Sequence, residues 1–170
     1  MAQDDTRDDT VCCGGKSRAM ARFQDRLGAG ARTFEARLQV QWADIDMAGI
    51  MYFAAYPRYA EYAEMRMFDD LGFPYDTVFT EYAFWLPRVR VETEYYAPAF
   101  MNDWLRMRTH IERVGGSSVR WQTVVFNERT GAAGASLTFI VAAIGYESKK
   151  SCPLPEPIRS ALLACVAPGA

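Results

Sequence analysis

Apolar and polar residues alternate from Phe34 to Trp42, with Phe34, Ala36, Leu38, Val40 and Trp42 set against Glu35, Arg37, Gln39 and Gln41. A period of two predicts a half-buried strand. The period then changes: Tyr56, Ala60, Ala63, Met67 and Leu71 recur at helical spacing and mark a buried stripe. Two of the five are alanines, so this helix can approach a sheet closely. Pro57 falls in the first turn, where its missing N–H costs little, and Gly72-Phe73-Pro74 supplies the stop.

The rest of the chain is mostly strand. Residues 84–96 are β-prone, with Val89, Val91, Thr93 and Tyr95 on one side and Arg88, Arg90, Glu92 and Glu94 on the other. After Pro98 and an Asn102-Asp103 turn, residues 104–113 alternate again, with Leu105, Met107, Thr109 and Ile111 facing inward. Gly115-Gly116-Ser117-Ser118 turns into a strand over 119–127, and Glu128-Arg129-Thr130-Gly131 turns into another over 134–146. A short helix is expected over 156–165. One early helix followed by meandering strands predicts an α+β fold with the helix on one sheet face.

Residues 1–32 read as a separate extension, leaving 33–170 as the domain. Asp4, Asp5, Asp8 and Asp9 are followed by Lys16, Arg18, Arg22 and Arg26, with a short helix expected over 17–27. Met1-Ala2-Gln3-Asp4-Asp5-Thr6 has no apolar core behind it, so no signal peptide is expected. The apolar-rich run at 137–146 is too short to span a bilayer, and no membrane partner is expected. A net charge of −2 across 170 residues leaves no basic footprint for nucleic acid. Cys12, Cys13, Cys152 and Cys165 match no zinc spacing, and His110, the single histidine, cannot complete a cluster. Reduced thiols in a cytoplasmic protein without a metal are the expectation. His110 itself is expected at a surface position of its strand.

Between the first strand and the helix lies Asp44-Ile45-Asp46-Met47-Ala48-Gly49-Ile50-Met51-Tyr52-Phe53. A carboxylate, a glycine turn and a helix start stand in immediate succession. Unsatisfied N–H groups in a first helical turn favour negative charge, including charge that develops during a reaction. The same aspartate could also do no more than cap the helix.

That motif continues through Tyr56, Tyr59 and Glu61, and is followed by Glu94-Tyr95-Tyr96-Ala97-Pro98-Ala99 and Val114-Gly115-Gly116-Ser117-Ser118-Val119. In this order, over about residues 34–163, the chain resembles the hotdog-fold thioesterases of the 4-hydroxybenzoyl-CoA thioesterase and YbgC-like group. The resemblance implies a long helix wrapped by a curved antiparallel sheet, protomers joined edge to edge as a homodimer or homotetramer, and active sites at the interface. It implies hydrolysis of an aryl- or fatty-acyl-CoA thioester, with coenzyme A as part of the substrate and no cofactor. Asp46 becomes the catalytic carboxylate, attacking directly or activating water. The backbone N–H of Phe53 becomes the oxyanion donor, and Glu61 an acidic residue near the acyl end of the pocket. Gly49, Tyr52, Arg88, Ser117 and Ser118 are the substrate-binding candidates, with Arg90, Arg113, Arg120, Lys149 and Lys150 further candidates for phosphate.

Two positions depart from the group. YbgC-like members carry histidine where this chain has Phe53, which removes a histidine-assisted route, and the asparagine common before the helix tyrosine is Ala55. The basic residues that benzoyl-type enzymes hold around the Ser117-Ser118 turn are also missing. The competing expectations are an acyl-carrier-protein thioesterase and a silent acyl-CoA binder.

Overall fold

The structure is a computed structural model that describes residues 31–167. The charged extension, its expected helix, Cys12 and Cys13 lie outside the described residues. In chain order the elements are β1 (Thr33–Gln39), α1 (Tyr56–Asp70), α2 (Val78–Glu81), β2 (Phe84–Trp85), β3 (Arg88–Tyr95), β4 (Trp104–Val114), β5 (Ser118–Asn127), β6 (Ala133–Ala142), β7 (Ile144–Gly145) and α3 (Glu156–Leu163). Five strands form one antiparallel sheet in the order β1-β4-β5-β6-β3, and β2 pairs with β7 beside it. The α1 helix packs across this sheet, which is the hotdog arrangement.

The helix forms where the stripe predicts it. Tyr56, Ala60, Ala63 and Met67 are buried, and Tyr59, Glu64 and Phe68 widen the buried face. Ala60 and Ala63 bring the helix against the sheet, where it meets Leu105, Met107, Ile111, Trp121, Leu137 and Phe139 in a single core cluster. Truncating Met67 or Phe68 to alanine would cost roughly 2–5 kcal/mol in such a core. Gly72 ends the helix with φ +82°, a left-handed backbone that a side chain would strain.

Three expectations are corrected. First, β1 stops at Gln39, because Val40 donates its N–H to the Asp103 carbonyl at 2.9 Å and a 3₁₀ turn follows over Trp42–Asp44. Trp42 therefore turns outward and is 81 % exposed. Second, residues 84–96 are two strands, not one. Pro87, which cannot donate to a ladder, separates β2 from β3, and a bulge falls between Arg88 and Arg90. Arg88 lies opposite the buried Val141, on the same face as Val91, Thr93 and Tyr95 rather than with Arg90, Glu92 and Glu94. Third, His110 is 1 % exposed instead of sitting at the surface. It faces away from α1 on β4, where the cross-strand Gln122 and nearby Val124 are buried too.

The sheet ends at β1 and at β3, and the β3 edge is the more exposed of the two. Along β3 every residue is at least partly exposed, including Val89, Val91 and Tyr95. An uncovered edge of apolar and mixed-charge residues is a template for another strand.

Candidate active site

The segment joining β1 to α1 is a tight loop pinned at both ends. Ile45 and Met51 bridge across it, and the Asp46 N–H donates to the Ile50 carbonyl at 2.9 Å. Gly49, at φ +76°, donates its N–H back to the Asp46 carbonyl at 3.0 Å, and only glycine enters that conformation freely. The Asp46 side chain takes one local bond, Oδ1 accepting the Ala48 N–H at 2.8 Å. It remains partly exposed and lines a cavity of about 510 Å³.

Asp44 has a different job. It is 3 % exposed, pairs with Arg58, accepts the Tyr59 hydroxyl at 2.6 Å, and receives the Tyr52 N–H on its carbonyl at 2.7 Å. Those bonds fix the loop against α1 and leave Asp46 as the loop carboxylate that reaches the cavity.

Phe53 lines the same cavity as Asp46. Phe53 opens a 3₁₀ turn that runs directly into α1, and among the described residues no backbone carbonyl accepts its N–H. A residue whose N–H has no backbone acceptor and a loop carboxylate thus line one concavity at the helix start. Tyr95 donates its hydroxyl to the Phe53 carbonyl at 2.9 Å, and its ring meets Tyr56 edge-on at 5.4 Å. Burial pushes the Tyr56 hydroxyl up to about 12, so that phenol stays protonated at neutral pH. Tyr56, Tyr95, Tyr96 and Pro98 make the wall against which a ligand would lie.

The other sequence candidates do not gather here within one protomer. Tyr52 is half exposed beside Phe53, with ring centroids 4.6 Å apart. Glu61 is exposed on α1 and lines two other cavities. Arg88 is turned under the sheet edge, where it ion-pairs with Glu64. Ser117 and Ser118 line a shallow cleft with Ser151, Cys152 and Pro153. Cys152 and Cys165 are free thiols, and no metal-binding cluster occurs among the described residues. No helix among them is long and apolar enough to cross a membrane.

Sequence reasoning passed over two groups. Tyr95 steadies the Phe53 backbone, and its place on β3 opposite the helix start could not be read before the sheet was known. Glu64 is 0 % exposed and accepts from Arg88 and from the Tyr75 hydroxyl. Its signal was available: four residues after Ala60 and one after Ala63, it falls within the buried arc of α1.

Residues 40–162 match the family described as the thioesterase-like superfamily. The chain belongs to that superfamily. It is also 30 % identical over 96 residues to the acyl-CoA thioester hydrolase YbgC of Escherichia coli O6:H1, covering 56 % of this chain and 67 % of YbgC. Among solved structures it resembles Slr0204, a 1,4-dihydroxy-2-naphthoyl-CoA thioesterase from Synechocystis, with TM-score 0.72 and 23 % identity over 78 % of this chain and 96 % of that one. SAV2348 of Staphylococcus aureus, solved in complex with CoA, gives TM-score 0.73 at 16 % identity, covering 79 % of this chain and 84 % of the other. At these identities the two structures establish the shared hotdog fold.

Proposed function

We propose that this protein hydrolyses acyl-CoA thioesters, using Asp46 as the reacting carboxylate and the Phe53 N–H as the oxyanion donor. The observation that supports the reading is that Asp46 and Phe53 line one aromatic-walled cavity at the start of α1. Superfamily membership and the similarity to YbgC supply the reaction class.

Two routes fit a lone carboxylate. As a general base, Asp46 takes a proton from water while the hydroxide attacks the thioester carbonyl. As a nucleophile, its oxygen forms a mixed anhydride and expels CoA thiolate, and water then opens the anhydride. In both, the carbonyl oxygen becomes an oxyanion that the Phe53 N–H stabilises, and the products are free acid and CoA thiol. Single turnover in ¹⁸O water separates the routes, because only the nucleophilic one can carry solvent label into Asp46.

The site is half-built in one protomer, and a second copy paired through β3 completes it. Antiparallel self-pairing about Val91 sets Arg90 of each strand opposite Glu92 of the other and covers the exposed Val91 side chains. Opposite charges facing across an antiparallel pair are favourable, by about 0.2–1 kcal/mol each. Pairing also removes the open edge. A homodimer, or a tetramer built from it, is therefore the working form, with the Ser117-Ser118 turn assigned to the coenzyme A side. Thiol release from a panel of aryl, short, medium and long acyl-CoA thioesters tests the reading. Turnover of at least one substrate is expected, with near-complete loss in Asp46→Ala. Full activity in that variant overturns the assignment of Asp46, and binding without turnover of any substrate leaves a silent binder.

A further inference from the structure

At the opposite end of β3 from Asp46 lies a second cavity, of about 530 Å³. Tyr75, Phe79 and Trp85 form its aromatic wall, and its charged lining residues are Arg88, Lys149 and Glu61. Trp85 stacks on Tyr146 at 5.5 Å with an 8° interplanar angle, and the Lys149 ammonium sits 4.7 Å from the Tyr146 ring centroid. Beneath the cavity, Glu64 accepts the Arg88 fork, Nη1 to Oε1 at 3.0 Å and Nη2 to Oε2, while Tyr75 donates to Oε1.

A buried ion pair is an inefficient way to stabilise a core, since apolar replacements of similar volume often serve as well or better. Placed at a cavity wall, it has a different use: it locks a guanidinium in one orientation. Arg88 carries five N–H donors. Two are directed to Glu64, the nearest Glu61 oxygen is 3.9 Å away, and the side chain keeps 28 % exposure at the cavity. An acceptor oxygen entering the cavity would meet oriented donors already desolvated on one side.

Pairing through β3 would bring the two cavities together. Arg88 begins β3 and Tyr95 ends it, and both lie on the helix face of the sheet. In an antiparallel pair of β3 strands, the Arg88 end of one copy lies beside the Tyr95 end of the other. The Glu64–Arg88 cavity of one protomer then adjoins the Asp46 cavity of the second.

We propose that Arg88, positioned by Glu64 and Tyr75, hydrogen-bonds an oxygen at the far end of the acyl group, so that the preferred substrates are thioesters whose acyl chain ends in a hydroxyl or carboxylate. This rests on the proposed reaction at Asp46 and on pairing through β3. A plain alkyl end would offer no acceptor to the Arg88 donors that Glu64 does not take, and sites built around a hydrogen bond discriminate strongly against ligands lacking it.

The test uses hexanoyl-, 6-hydroxyhexanoyl- and adipoyl-CoA with their eight-carbon counterparts. Binding is measured by calorimetry to the full chain carrying Asp46→Asn, and kcat/KM on the unmodified chain. At least tenfold preference for an oxygenated chain over the alkyl chain of equal length is expected in both. The relative strength of the hydroxyl and carboxylate arms identifies which oxygen Arg88 takes. Glu64→Leu combined with Arg88→Met removes the pair without orphaning a charge, and the preference should fall to near one while the thermal midpoint shows the protein folded. Should that double variant fail to fold, Arg88→Lys keeps the charge, loses the fork and should cut the preference several-fold. Equal binding of alkyl and oxygenated chains overturns the proposal, as does a preference that survives these substitutions. A binding preference without any turnover would overturn the catalytic reading of Asp46 and leave the role of Arg88 standing.

Discussion

Two carboxylates mark the two ends of β3, and their hydrogen bonds give them opposite characters. Asp46 stands in a glycine-containing loop, accepts a single backbone N–H, and opens onto a cavity beside the Phe53 amide. Glu64 lies on the buried face of α1, with Arg88 and Tyr75 engaging both of its oxygens. The first keeps lone pairs and water access for chemistry. The second has most of its acceptor sites filled and is closed to solvent, and its influence passes through the guanidinium it holds. A carboxylate's role thus follows from how many of its acceptor sites the fold has already filled.

The contrast can be broken from either side. The largest effect is expected from Asp46→Asn, which keeps the shape and removes the carboxylate. Turnover should fall by about 10²–10⁴-fold with the thermal midpoint nearly unchanged; a large loss of stability with activity retained would make Asp46 a structural cap instead. Arg88→Met should act on the fold, because it leaves Glu64 buried without its cation. Denaturant unfolding is expected to show a loss of about 3–5 kcal/mol, and a loss under 1 kcal/mol would mean that Glu64 does not depend on Arg88.

Next in size is a pH effect. Burial raises the Glu64 carboxyl from 4.5 to about 7, against the lowering influence of Arg88 and Tyr75. The folded state then binds the proton more tightly than the unfolded state. Stability from this group is fully present below pH 4.5 and is lost as pH rises towards 7, by up to roughly 3 kcal/mol. Urea unfolding across that window should slope downward with pH, and Glu64→Gln should flatten the slope. An unaltered slope in the variant would assign the effect to other groups. The smallest effect is expected from Tyr95→Phe, which deletes the bond to the Phe53 carbonyl. A net loss of about 0.5–1.5 kcal/mol, read as a several-fold fall in kcat with little change in KM, would place Tyr95 as support for the oxyanion donor.

Much of the framework was legible from local pattern. The stripe from Tyr56 to Met67 specified the helix and its buried face. The inward set Leu105, Met107, Thr109 and Ile111 is buried as its alternation predicts. The Asp46–Gly49 loop was readable because an aspartate, a glycine and a helix start need no distant partner to define their geometry. Arg88 was legible as a basic residue and illegible as a buried-pair member, because one bulge reverses its face. Trp42 and His110 misled for a related reason: alternation indicates which residues share a face, while what covers that face depends on other parts of the chain.

The sequence by itself determined the α+β order, the Asp46–Gly49 loop and the helix that follows it, since these depend on period, turn chemistry and residues close in the chain. Only the tertiary structure decided that Asp44 would be tied down and Asp46 left facing the cavity, and that Tyr95 would brace Phe53. It also decided that Glu64 would capture Arg88 from 24 positions away. Those outcomes depend on strand register and the Arg88 bulge, which arise from packing across the sheet rather than from any run of neighbouring residues.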